Sequence, residues 1–267
     1  MSAEIILMYL VIGLIAGILA GLLGIGGGLV IVPMLVFSFG KEGISSEVTM
    51  HLALGTSLAT IIITSISSFM AHNKRGAVDW SIVRRIVPGI LVGTFMGGFA
   101  AAALSTKFLK IFFCVFLYVV ATQMLSNRKP KPSRNLPDSG GMFAVGSIIG
   151  AISSLVGIGG GSLSVPFMLF CNVTAHKAVG TASAIGLPIA VAGAVSYFVN
   201  GFGEADLPPY SLGYIYLPAF FGIVCVSFLT APLGAKLAHA LPVDMLKKVF
   251  AIFLYVVATR MLWSLLH

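Results

Sequence analysis

Charged side chains are scarce in this sequence. Its 267 residues include 16 Lys and Arg and eight Asp and Glu, so that charged residues make up 9% of the chain and hydrophobic residues 58%. Soluble domains carry about 25% charged residues, which cover their surface. Because this chain cannot form such a surface, a soluble enzyme, a disordered tail and a nucleic-acid-binding protein are excluded. The lipid bilayer is its expected partner.

Cysteine is also rare, and its spacing disfavours two kinds of site. Cys114, Cys171 and Cys225 each stand alone within an apolar stretch and form no Cys-x-x-Cys pair. A disulfide framework or a thiolate metal site needs clustered cysteines. We therefore expect three packing residues, no metal site and no cofactor.

Acidic residues are absent from the interior of the apolar stretches. All eight lie in loops or at predicted helix ends: Glu4, Glu42, Glu47, Asp79, Asp138, Glu204, Asp206 and Asp244. Proton relays and cation sites within membranes usually depend on buried carboxylates. Their absence disfavours carboxylate-driven antiport and a metal-cation permease, and it leaves backbone dipoles and hydroxyl groups as the binding chemistry.

The sequence contains seven long apolar runs without a charged residue. No Asp, Glu, Lys or Arg occurs in 5–40, 48–73, 86–106, 111–127, 139–176, 178–203 or 207–235. A bilayer core about 30 Å thick is crossed by about 20 apolar residues in a helix. The runs therefore predict an all-α polytopic membrane protein.

An internal duplication organises these runs, because three blocks occur in the same order in both halves of the chain. They are Gly24-Ile-Gly-Gly-Gly28 with Val32-Pro33 and Gly157-Ile-Gly-Gly-Gly161 with Val165-Pro166, His51 to Thr56 and His176 to Thr181, and Leu117 to Thr122 and Leu254 to Thr259. We predict a first transmembrane repeat at 1–126, a cytoplasmic linker at 127–139 and a second transmembrane repeat at 140–267.

The relative direction of the halves depends on how often each glycine segment crosses the membrane. As one helix, residues 5–40 would be about 54 Å long, which exceeds the bilayer core, so we expect helix breaks at the glycines and at Pro33 and Pro166. Each half of four to five helices then has five pieces, and the halves are inverted with their basic loops inside. Eight crossings in parallel halves are the alternative.

The twin Gly-Ile-Gly-Gly-Gly-x3-Val-Pro motifs, each followed by His-x-Ala-x-Gly-Thr, resemble the TauE/SafE sulfite exporter family of bacterial permeases. The resemblance covers essentially the whole chain. It implies a multi-pass transporter of the bacterial cytoplasmic (inner) membrane that moves sulfite, a sulfonate or another small sulfur-containing anion. The resemblance defines the fold more narrowly than it defines the substrate.

The glycine motifs also predict where an anion binds. Glycines let a helix unwind, and the helix that restarts has N–H groups without intrahelical partners at its positive end. Such donors, with nearby hydroxyl groups, suit a small oxyanion. We predict that these residues contact the substrate: Gly24, Gly26, Gly27, Gly28, Thr56, Ser57, Gly157, Gly159, Gly160, Gly161, Ser162 and Thr181.

Two histidines and a glycine stripe leave alternatives open. His51 and His176 begin the helices after the motifs, where gating or capping is the functional interpretation and an interfacial residue the alternative. Gly13, Gly17 and Gly21 suit close packing within the chain or between the protomers of a homo-oligomer. The competing functions are a permease for another organic anion or a metal cation, and a membrane scaffold without transport.

Overall fold

The computed structural model describes residues 3–23, 27–126, 134–240 and 243–266. Within these ranges the chain forms ten α-helices and one short β-hairpin. The elements are α1 (Ala3–Leu23), α2 (Gly28–Glu42), α3 (Thr49–Lys74), α4 (Trp80–Ala102), α5 (Thr106–Ser126), α6 (Ser139–Val156), α7 (Gly161–Phe170), α8 (Ala175–Asn200), β1 (Ser211–Leu212), β2 (Ile215–Tyr216), α9 (Leu217–Ala240) and α10 (Val243–Leu266). Five helices precede the predicted linker and five follow it.

Most of the described helices are suited to a bilayer by length and composition. Six of them contain an apolar segment long enough to cross a membrane, namely α3, α4, α5, α6, α8 and α10. Helices α1, α7 and α9 contain shorter apolar segments. These findings confirm the prediction of an all-α polytopic membrane protein.

Each half begins with a helical hairpin. In the first half, Tyr9 near the start of α1 donates its hydroxyl hydrogen to Glu42, the last residue of α2. In the second half, Asn172, just after α7, donates a side-chain N–H to the Arg134 carbonyl oxygen ahead of α6, over 3.4 Å. The two helices of each hairpin therefore run in opposite directions, and a glycine motif lies between them.

The two hairpins open at opposite ends of the bundle. At the first end, Tyr216 just before α9 donates its hydroxyl hydrogen to Glu42 over 3.1 Å. At the second end, Asp79 lines a cleft of ≈ 380 Å³ together with Asn172 and Lys177. Helix α3, with 26 residues, connects the two. We name them the Glu42 end and the Asp79 end.

Equivalent helices of the two halves pack against each other. In α3 and α8, a Cβ on Gly193 would lie 2.7 Å from Leu58, and a Cβ on Gly186 would lie 3.2 Å from Ser65 Oγ, so these helices are antiparallel. Helices α5 and α10 exchange reciprocal hydrogen bonds between the repeated Tyr and Thr positions. The pairs are Tyr118 with Thr259 (2.8 Å) and Thr122 with Tyr255 (2.6 Å).

The reciprocal Tyr–Thr bonds give a testable contribution to stability. We expect Tyr118→Phe and Tyr255→Phe each to lower the free energy of unfolding by about 0.5–1.5 kcal/mol, because each removes one interhelical hydrogen bond. Thermal unfolding of the purified protein in detergent measures the loss. Tyr210→Phe, at a tyrosine that is 78% exposed, is the control. Equal stability of all three variants and the wild type would contradict the expectation.

Glycines bring other helices into close contact within the chain. A Cβ on Gly93 in α4 would collide with the Ser147 carbonyl oxygen in α6, and a Cβ on Gly17 in α1 would lie 2.7 Å from the Ser227 carbonyl oxygen in α9. Small residues of this kind let membrane helices approach closely. Gly17 therefore serves contacts within the chain.

Candidate functional site

The two glycine motifs adopt the same backbone geometry where their second helices begin. Gly27 precedes α2 with φ 76° and ψ −12°, and Gly160 precedes α7 with φ 76° and ψ −13°. Gly157, at the end of α6, has φ 70°. These left-handed conformations favour glycine over any residue with a Cβ. The predicted contacts of Gly24 and Gly26 lie outside the described residues.

The helix breaks lie at the glycines and not at the prolines. Helix α2 continues through Pro33 and α7 continues through Pro166, so the prediction of breaks at these prolines was wrong. A proline removes one N–H donor from a helix, and membrane helices tolerate this loss when neighbouring groups compensate for it. The left-handed glycines produce the change of direction.

The structure brings the two motifs into direct contact. A Cβ on Gly28, the first residue of α2, would collide with the Gly157 carbonyl oxygen and would lie 3.0 Å from Ile158 Cα. Ser57 in α3 donates its hydroxyl hydrogen to the same Gly157 carbonyl oxygen over 2.8 Å. In this conformation Ser57 therefore holds the second-half break in place. Its contact with substrate stays a prediction.

At the positive end of both restarted helices, the first N–H groups have no carbonyl oxygen within the helix to which they can donate. In α2, the Val30 and Ile31 N–H groups both donate to the Gly27 carbonyl oxygen over 3.0 Å. In α7, the Leu163 and Ser164 N–H groups donate to the Gly160 carbonyl oxygen over 3.0 and 2.8 Å. The N–H groups of the two residues before each pair lack partners within the helix. At α7 these belong to Gly161 and Ser162.

Two hydroxyl groups near α7 are buried without a hydrogen-bond partner among the described residues. They are Ser153 Oγ in α6 and Ser162 Oγ in the first turn of α7. Ser153 has no exposed surface, and its Oγ lies 3.6 Å from the position of a Cβ on Gly160. Sequence reasoning included Ser162 and missed Ser153. No repeated position marks Ser153 in the sequence, because Ala20 occupies the equivalent place in the first half.

Gly159 and Gly161 of the second motif also lie at the second-half break. The Gly159 carbonyl oxygen would lie 2.9 Å from a Cβ on Gly186 in the middle of α8, and Ser65 of α3 lies on the same side of that glycine. Gly161 is the first residue of α7. Helices α3 and α8 therefore both border the second-half break.

The structure does not bring Thr56 and Thr181 together. At the Glu42 end, Thr56 Oγ1 accepts a hydrogen bond from the Tyr216 N–H over 2.9 Å. At the Asp79 end, Thr181 Oγ1 accepts one from the Asp79 N–H over 2.9 Å. Each threonine therefore binds the loop residue that precedes another helix: Thr56 binds the residue before α9, and Thr181 binds the residue before α4. Hydrogen bonds from Ser81 hold the pKa of the Asp79 carboxyl below its usual range.

The two repeated histidines have different surroundings. His51 is buried, and its Nε2 lies 3.0 Å from the Ala101 carbonyl oxygen and 3.1 Å from that of Leu104. Because carbonyls only accept hydrogen bonds, Nε2 carries the hydrogen and donates to the end of α4. The ring also stacks on Tyr214 at 5.1 Å. His176 is exposed at the start of α8.

Comparison with known proteins gives a consistent result. The family described as "Sulfite exporter TauE/SafE" matches residues 9–261. A probable membrane transporter protein of Haemophilus influenzae is 42% identical over 96% of this chain and 97% of its own. The probable membrane transporter protein YunE of Bacillus subtilis is 31% identical over 72% of this chain and 77% of its own. No solved structure matches the chain.

Proposed function

Since the chain belongs to the sulfite exporter TauE/SafE family of membrane transporters, we propose that it moves a small sulfur-containing anion across the bacterial cytoplasmic membrane. The substrate class is sulfite, a sulfonate or a related organosulfur anion. The observation that carries this proposal is the contact between the two glycine motifs, where helices restart from left-handed glycines. Helix N-termini inside a membrane protein are suited to an anion without a basic side chain.

The arrangement of the hairpins supports alternating access. The α1–α2 hairpin opens at the Glu42 end, the α6–α7 hairpin opens at the Asp79 end, and their tips touch at Gly28 and Gly157. We infer inverted halves from these contacts and from the antiparallel packing of α3 on α8. In such transporters the two halves move against each other around a fixed site.

The distribution of charged residues supports one orientation of the helix bundle in the membrane. Lys177 and the loop that contains Lys74 and Arg75 lie at the Asp79 end, whereas Glu42 and Glu204 lie at the other end, where Lys41 is next to Glu42. By the positive-inside rule the Asp79 end faces the cytoplasm. An inside-negative potential then favours export of an anion by about 2.3 kcal/mol per charge per 100 mV.

Flux into proteoliposomes tests the proposed function. We expect the purified protein to move at least one of sulfite, thiosulfate and sulfoacetate, and the rate of anion movement to increase with a membrane potential of the favourable sign. Chloride, sulfate and a divalent cation serve as comparison ions, and empty liposomes give the leak rate. The proposal would be contradicted if the protein transported the cation, or if it transported none of the sulfur compounds.

A further inference from the structure

We propose that the oxyanion head of the substrate binds at the second-half break alone, with Ser153 and Ser162 as its side-chain donors, while the first-half break supplies an apolar wall. This inference rests on the proposed function and specifies its site. It replaces a symmetric site, shared by both glycine motifs, with a site that has one polar side and one apolar side.

The polar side is built around the start of α7. The N–H groups of Gly161 and Ser162, in the first turn of α7, have no intrahelical acceptor, and the hydroxyl groups of Ser153 and Ser162 have no partner among the described residues. A buried hydroxyl group without a hydrogen-bond partner costs free energy. A bound ligand that accepts a hydrogen bond from the Ser153 hydroxyl would remove this cost. The position of Ser153 Oγ beside Gly160 places it next to the helix N-terminus.

The corresponding positions in the first half carry no hydroxyl groups. The repeat aligns Gly24 with Gly157, and therefore aligns Ala20 with Ser153 and Leu29 with Ser162. Ala20 and Leu29 are buried, with 8% and 1% of their surface exposed. At these two positions the first half therefore presents carbon where the second half presents hydroxyl groups.

The start of α2 is also less suited to an anion for an electrostatic reason. The Gly157 carbonyl oxygen lies against Gly28, so close that a Cβ there would collide with it. A carbonyl oxygen carries partial negative charge and faces the positive end of the α2 dipole. The second motif therefore already supplies a negative group beside α2, whereas we place the anion at α7, next to the hydroxyl groups of Ser153 and Ser162.

A site with these two sides selects by the shape of the anion. A monosubstituted sulfonate has three oxygens at one end and carbon at the other, so its head fits the donors and its substituent fits the apolar wall. Sulfate presents polar oxygens in every direction and would leave some of them unpaired against carbon. We expect ethanesulfonate to bind more tightly than sulfate.

Binding of ethanesulfonate to the purified full-length protein, measured by calorimetry, tests this inference. We expect Ser153→Ala and Ser162→Ala each to raise Kd by about tenfold or more, since each removes a donor to a charged group. The controls are Ser154→Ala and Ser164→Ala. Their hydroxyl groups already donate to nearby carbonyl oxygens, that of Ala151 over 2.9 Å and that of Gly160 over 2.9 Å, so Kd should stay near the wild-type value.

Stability without ligand separates binding from packing. Ser153→Ala should keep the wild-type midpoint of thermal unfolding, because Ser153 Oγ has no bond to lose within the described structure. A residue with a purely structural role would lower the midpoint and leave Kd unchanged. Ala20→Ser, which gives the first half the missing hydroxyl group, should not tighten binding; tighter binding would support a symmetric site.

The outcomes distinguish this inference from the proposed function. If the wild type binds ethanesulfonate or sulfite and Ser153→Ala behaves like Ser154→Ala, the one-sided site is wrong and the proposed function stands. Equal affinity for sulfate and ethanesulfonate would overturn the apolar wall. If the wild type binds no sulfur oxyanion, both proposals fail.

Discussion

Gly160→Leu should abolish anion flux while leaving a folded protein in the membrane. A Cβ at this position would collide with Ile189 Cδ1, the end of a flexible side chain that can rotate away. The rest of the leucine then occupies the space beside Ser153 Oγ, where we place the anion. Backbone strain from φ 76° adds about 1–2 kcal/mol, which a stable bundle can tolerate.

Gly43→Leu is the matched control for this variant. Gly43 is the C-cap of α2 and has φ 72°, close to the φ of Gly160, but nothing lies within 4 Å of a Cβ built on it. The control therefore introduces the same kind of strain without filling the site. Flux in proteoliposomes and elution by size-exclusion chromatography should be normal for Gly43→Leu. Normal flux in Gly160→Leu would contradict the assignment of the site to the second-half break.

Gly93→Leu should have the largest effect on stability. A Cβ on Gly93 would collide with the Ser147 carbonyl oxygen and lie 2.5 Å from Ser147 Cα, so the backbones of α4 and α6 must separate. Overpacking against backbone cannot be relieved by a rotamer change. We expect a loss of about 3 kcal/mol or more in the free energy of unfolding, with little protein surviving extraction.

The control for Gly93→Leu is another glycine within a helix. Gly40 in α2 has nothing within 4 Å of its Cβ position, and leucine favours a helix more than glycine does. Gly40→Leu should therefore leave the midpoint of thermal unfolding unchanged or raise it. If Gly93→Leu unfolds at the same temperature as Gly40→Leu, the close packing of α4 on α6 is wrong.

The repeats and glycine motifs made much of the architecture predictable. Apolar runs between charges predict the helices, and the excessive length of residues 5–40 predicts a break within them. It was harder to predict from the sequence that the break lies at Gly27 and not at Pro33. Both residues disfavour a regular helix, and only the three-dimensional packing decides which of them changes the chain direction.

Contacts between the halves could not be read from the sequence. Ser57 donates to the Gly157 carbonyl oxygen across 100 positions, and Thr56 accepts from Tyr216 across 160. A hydroxyl in an apolar helix gives the same pattern whether it faces a loop, a neighbouring break or a ligand. Ser153 lacks a repeated partner and was therefore missed. We propose a role for Ser153 because its Oγ is buried beside Gly160 and has no hydrogen-bond partner among the described residues.

A structure determined with bound ethanesulfonate tests the central claim most directly. We predict that the sulfonate oxygens lie about 3 Å from the N–H groups of Gly161 and Ser162 and from Ser153 Oγ, with the carbon substituent toward α2. A sulfonate found instead in the cleft at the Asp79 end, beside Lys177, would contradict the claim that the second-half break binds the substrate.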